Sequence, residues 1–226
     1  MNTVKLLMNA AVIGLASFAA NAHAGYNFNF DNAASGTSAN DAAVNPYSNV
    51  QFLSGFVTAD LDADGFEILD PNGQTIPGYT HWEAYSDSDI RVRDPQEYGH
   101  GDAPSVSNAL DAMFDQVLIS FSSAQNLSSF SVQLDNSMFG DFNSSILFLD
   151  AAGKTISTLS FDQYANPGAI ITGGAVSGVY GIVLNAGKLY DNLSITTVSA
   201  VPEAETYAMM LAGLGMMGFV ASRRRR

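Results

Sequence analysis

Asp60-Leu61-Asp62-Ala63-Asp64-Gly65 is the sharpest chemical pattern in this chain of 226 residues. Carboxylates at alternate positions of a loop can surround a calcium ion with oxygen, and a glycine at the sixth position permits the bend. The second half of a helix-flanked calcium loop is missing. Its twelfth position, where a bidentate glutamate belongs, is Pro71, and the flanks read as strands, which excludes an EF-hand. Two readings stay open: a β-turn calcium site built by Asp60, Asp62 and Asp64, or a solvated acidic hairpin turn, since Asp and Gly are ordinary turn residues.

A second constellation runs through Tyr79-Thr80-His81-Trp82-Glu83-Ala84-Tyr85, followed by Arg91, Arg93, Glu97 and His100. A stacking sugar site combines aromatic rings that lie on apolar sugar faces with polar groups that hold the hydroxyls. Trp82, the sole tryptophan, and Tyr85 are the candidates, with core packing as the alternative for Trp82. Glu83 and Glu97 could be posed as a glycosidase pair, whose separation would set the stereochemical outcome. Nothing in the sequence puts them in one cleft, and no nucleophile-elbow pattern accompanies the histidines. The expectation is a protein that is not an enzyme. Asn126-Leu127-Ser128, Asn192-Leu193-Ser194 and Asp141-Phe142-Asn143-Ser144-Ser145 match glycosylation sequons, which arise readily by chance in Asn/Ser-rich chains.

The elements that must position these residues read as strands. Val117, Ile119 and Phe121 alternate with polar or outward positions, as do Phe130, Val132 and Leu134, the period-two pattern of half-buried antiparallel strands. Ser145–Leu149, the turn Asp150-Ala151-Ala152-Gly153 and Thr155–Phe161 predict a hairpin. Tyr180–Leu184 and Leu189–Val198 predict a second, joined through Asn185-Ala186-Gly187-Lys188. Further strands are expected at Tyr26–Asp31, Val50–Leu61, Phe66–Leu69 and Ile90–Arg93, a short helix at Val106–Phe114, and a loop over Asn32–Asn45. The fold class expected is all-β: a two-sheet antiparallel β-sandwich, jelly-roll-like, with a closed barrel as the alternative. Asn29-Phe30-Asp31 on the first strand and Tyr190-Asp191-Asn192 on the last weakly resemble the terminal strands of jelly-roll carbohydrate-binding modules, where acidic residues share a structural calcium. That resemblance implies an ion between Asp31 and Asp191, with strand-end capping as the alternative.

Charge narrows the partners. Residues 25–200 hold 17 Asp and three Glu against four basic residues, a net charge of −16. Such a surface repels the phosphates of nucleic acid and anionic headgroups, and suits solubility outside the cell, divalent cations or neutral polysaccharide. The chain has no cysteine. Thiol catalysis, disulfide staples and cysteine-ligated zinc are therefore excluded. About 175 residues suffice for one domain with a proper core.

Both ends are of another character. Lys5 supplies a positive region, Leu6–Ala20 is apolar, and Ala22-His23-Ala24 has the small-x-small spacing of a signal peptidase site, predicting export by the Sec translocon and a mature start at Gly25. At the other end Val201-Pro202-Glu203-Ala204-Glu205 leads into an uncharged run and then Arg223, Arg224, Arg225 and Arg226. As a helix, residues 206–222 rise roughly 25 Å, a marginal span of the inner membrane. Apolar side chains lie all round that helix instead of in one stripe, so a membrane segment is expected, with the arginines cytoplasmic.

With both ends in view, the chain resembles the PEP-CTERM proteins of Gram-negative bacteria: signal peptide, variable secreted domain, then Pro-Glu-Pro, apolar helix and arginine cluster. Ala204 stands where the third motif position has proline. The resemblance implies residues 1–24 as signal peptide, 25–198 as secreted domain and 199–226 as a sorting signal. It also implies cleavage near Pro202-Glu203 by exosortase, a membrane-embedded cysteine transpeptidase-like enzyme, and a mature form at the cell surface or in the matrix. The expected role is a structural or adhesive component associated with exopolysaccharide or biofilm; the alternative is an extracellular carbohydrate-binding or glycan-hydrolysing protein.

Overall fold

The computed structural model describes residues 25–73, 76, 78–85, 89–95, 108–112, 114–137, 144–162, 168–198 and 214. The signal helix, Ala22, Ala24, the 206–222 helix, Pro202, Glu203, Arg223–Arg226, Glu97, His100 and Asn143 lie outside the described residues. Among those described, no helix is long and apolar enough to cross a membrane. The chain divides into two units, residues 23–198 and a second made of 1–22 with 199–226. Every strand below belongs to the first.

The unit is all-β. Its strands are β1 (Gly25–Phe28), β2 (Val50–Ala59), β3 (Thr80–Ala84), β4 (Val92–Arg93), β5 (Ala109–Ala112), β6 (Gln116–Ser137), β7 (Ser145–Leu149), β8 (Thr155–Ser160), β9 (Ile170–Gly173), β10 (Val176–Leu184) and β11 (Lys188–Thr197). All pairings are antiparallel. Hydrogen bonding is continuous instead of split between two sheets, because the 22-residue β6 takes part in both halves of this unit. Its first residues, 116–121, pair with β2 and β10 in the order β3-β2-β6-β10-β7-β8. Its later residues pair with β11 and β9, and β11 carries β1 and β5 on its other edge, with β4 beyond β5.

The two halves face each other across one apolar core. Phe28 of β1 meets Phe52 of β2 edge-on at 5.1 Å between ring centroids, and Phe130 of β6 meets Phe148 of β7 at 5.8 Å. Alternation explains the strands: Val117, Ile119 and Phe121 are buried, and further on Phe130, Val132 and Leu134. The inward parity switches between Leu127 and Phe130. There Thr196 and Thr197 of β11 pair with Ser129 and Leu127, leaving Ser128 as the extra residue of a bulge. A bulge of one residue flips which side chains face inward, so the strand keeps its apolar face on the core as it passes from one half to the other.

Several expectations are corrected. Val106–Phe114 holds strand β5, not a helix: Leu110 pairs with Tyr190 and Val92, and a segment this short takes the conformation its neighbours' ladders impose. Phe66–Leu69 forms isolated bridges only, at Glu67, which pairs with Leu61, and at Leu69, and no strand. Tyr180–Leu184 and Leu189–Val198 do not make a hairpin, because β6 lies between β10 and β11. Asn185-Ala186-Gly187 instead carries the chain from one half to the other, with Gly187 in the left-handed region at φ 80°. The buried Tyr190 hydroxyl ties that corner, donating to the Asn185 carbonyl at 3.0 Å, and burial pushes its phenol far above the ordinary value. The β7–β8 hairpin forms where expected, while β3 and β9 are strands beyond those expected.

Candidate functional site

The Asp60–Gly65 segment leaves the end of β2 and turns back at once. Asp62 accepts the backbone N–H groups of Asp64 and Phe66 on one carboxylate oxygen, both at 2.9 Å, and Gly65 takes φ 84° to close the bend. Asp60 does something different. Its two oxygens receive Lys154 Nζ at 2.9 Å and His81 Nδ1 at 2.7 Å. Lys154 also donates to the Gly78 carbonyl, and the other nitrogen of His81 lies 3.4 Å from Glu83. The Lys154 ammonium, with His81 second, holds the Asp60 carboxyl below its ordinary range. Asp64 is exposed. Asp60 and Asp62 thus turn to separate partners, and among the described residues no group of three or more His, Cys, Asp or Glu side chains is arranged to hold a metal ion.

The Asp60–Lys154 pair does mechanical work. Lys154 ends the β7–β8 turn, and the residue after it, Thr155, meets Thr80 of β3 in a buried hydroxyl–hydroxyl hydrogen bond of 3.0 Å. β3 and β8 are the two ends of a six-strand order. Their contact means that this half of the sheet curls almost onto itself, closing over its own outer face. Under the clasp lies a small second core: Leu118, Leu149 and Val183, with Leu53, Val57, Leu147 and Trp82 packed against it.

Trp82 belongs to that core. Its ring lies on Gly55 of β2, where an added Cβ would come within 2.7 Å of the indole, and Gly153 of the β7–β8 turn covers its backbone. The indole Nε1 is buried, with no hydrogen-bond partner among the described residues. Tyr85 continues the β2–β3 ladder, donating its N–H to Ser54, but its ring stacks on Phe56, 5.4 Å away and 47% exposed. Phe56 and Gly55 are adjacent strand residues and face opposite sides. The structure therefore separates Trp82 and Tyr85, and Glu83 stands with His81 in the clasp.

The first and last strands do pair, β1 on β11. Asp31 is exposed, whereas Asp191 is wholly buried and turns its carboxylate to the backbone N–H of Asn192 at 2.7 Å and of Phe30 at 3.5 Å. Asn192, with φ 48°, is the one non-glycine residue in the left-handed region among those described. Sequence reasoning missed Lys154 and the glycines beneath Trp82. Only Gly55, a glycine inside an apolar strand pattern, carried a local signal, because such a residue marks close approach of another group.

Comparison with known proteins adds one finding at the end of the chain. No curated protein matches the sequence. Residues 200–226 match the PEP-CTERM protein-sorting motif, so the chain carries that sorting signal and is an exported protein of the exosortase-processed class.

Proposed function

We propose that the acidic β domain is the cargo of this sorting signal, and that it serves as a non-enzymatic structural or adhesive component of the cell surface or extracellular matrix, in company with exopolysaccharide. The observation that carries the reading is the motif match at residues 200–226. An apolar segment followed by four arginines would arrest the chain at the inner membrane with the domain outside, because guanidinium groups resist passage through hydrocarbon. Exosortase then cuts near Pro202 and frees the cargo. The domain suits that fate. Its net charge of −16 favours solubility and keeps it away from anionic headgroups, and its continuous ladder is built without disulfides.

Mass spectrometry of the protein recovered from the extracellular fraction of exporting cells tests this. The expected species starts at Gly25 and ends upstream of the apolar segment. Recovery of extracellular molecules that still carry Arg226 overturns the reading.

A further inference from the structure

The outer face of the other half is open, and its composition departs from the rest of the domain. Cross-strand register sets Asn27, Ser194, Ser131 and Thr172 in one row across β1, β11, β6 and β9. A parallel row holds Asn29, Asn192, Gln133 and Ile170. Asn29 donates to Asn192 at 3.4 Å, Asn192 donates to Gln133 at 3.0 Å, and Gln133 pairs in register with Ile170. Within the first row Ser194 donates to the Asn27 amide oxygen at 2.7 Å. All eight are exposed or half-exposed, and none is charged, on a domain of net charge −16.

We propose that this face binds an extended neutral polysaccharide lying across the strands, with its hydroxyl groups on the two rows. Three arguments favour this occupant. A polyanion is repelled by a domain of net charge −16, whereas a neutral polyol meets amides and hydroxyls and strips water from no ion. A protein partner would need an apolar centre, and Ile170 is the sole large apolar side chain in the rows. Geometry also fits: neighbouring strands lie about 4.8 Å apart, close to the length of one pyranose unit, so four strands span about three successive sugars. The amides already hold one another, and Asn192 is fixed in its left-handed conformation, so little side-chain freedom is lost on binding.

The inference deepens the matrix reading by naming the surface that meets polysaccharide. Native gel electrophoresis of the secreted protein through gels containing dextran, mixed-linkage β-glucan or galactomannan tests it, with alginate as the anionic control. Retardation is expected in at least one neutral gel and not in alginate. Ser131→Glu and Thr172→Glu, each with an unchanged melting temperature, are expected to weaken it about tenfold or more, a change of roughly 1.4 kcal/mol. Tyr85→Ala leaves it intact. Absence of retardation in every neutral gel, retention of full retardation by both charge variants, or its loss in Tyr85→Ala overturns the proposal. None of these outcomes bears on the sorting reading, which stands or falls on the chain's termini.

Discussion

Trp82 and Ser131 both occupy outward positions of one hydrogen-bonded sheet, yet the first is roofed and the second is bare. Around Trp82 the sheet curls until β3 and the β7–β8 turn touch, and leucines and valines fill the space beneath. Glycine makes this possible: Gly55 and Gly181 sit where a Cβ would strike Trp82 and Leu118. Around Ser131 the outward residues are hydroxyls and amides that need no cover. The contrast teaches that the side chains on the outer face decide how far a half-sheet curls. Apolar residues over glycine draw it closed, and short polar residues leave it open.

Mutations can break that comparison at three depths. The largest effect is expected at the core both halves share, where Phe130→Ala should cost about 3–5 kcal/mol in denaturant unfolding. If the loss were much smaller, the two faces would not be held by a common interior. Next comes Trp82→Ala, expected to cost roughly 2–3 kcal/mol, less than a sealed aromatic because the residue is partly exposed and folding leaves its N–H buried with no hydrogen bond among the described residues. A cost equal to that of Phe130→Ala would mean that the roofed cluster is as tightly packed as the main core. The smallest effect concerns the clasp. Asp60 has a depressed pKa in the folded chain, so the folded state binds its proton less readily than the unfolded one. Its contribution is present above the ordinary value of 3.8 and is lost as pH falls below it through the depressed value. Melting curves of the native chain and Asp60→Asn should therefore differ at neutral pH and converge in strong acid. A gap that persists there would remove the carboxylate from the clasp.

How much of this could be read from the sequence depends on whether the determinant was local. The β7–β8 hairpin was legible because alternation and its Asp-Ala-Ala-Gly turn lie side by side in the chain. The sorting signal was legible for the same reason, as an uninterrupted order of motif, apolar run and arginines. β10 and β11 are equally close in sequence, but nothing within them records that β6 inserts between them. β6 itself looked like two strands, because the polar stretch between Phe121 and Leu127 resembles a loop while its backbone remains laddered. Asp60 and Lys154, 94 positions apart, meet only once the half-sheet has curled. The aspartate pattern was visible, and its partner was not. Closeness in sequence groups Trp82 with Tyr85 as one aromatic site; strand alternation and the glycine beneath the indole send them to opposite sides.

β11 leads toward the sorting tail and is hydrogen-bonded along both edges, to β6 on one side and to β1 and β5 on the other. Were the tail to tether the precursor as proposed, tension along the chain would enter the domain through Thr197. Rungs on two flanks would then bear that force in parallel, where a strand at the border would peel away one rung after another. The strand through which any pull from the tail would arrive is thus built to withstand being tugged.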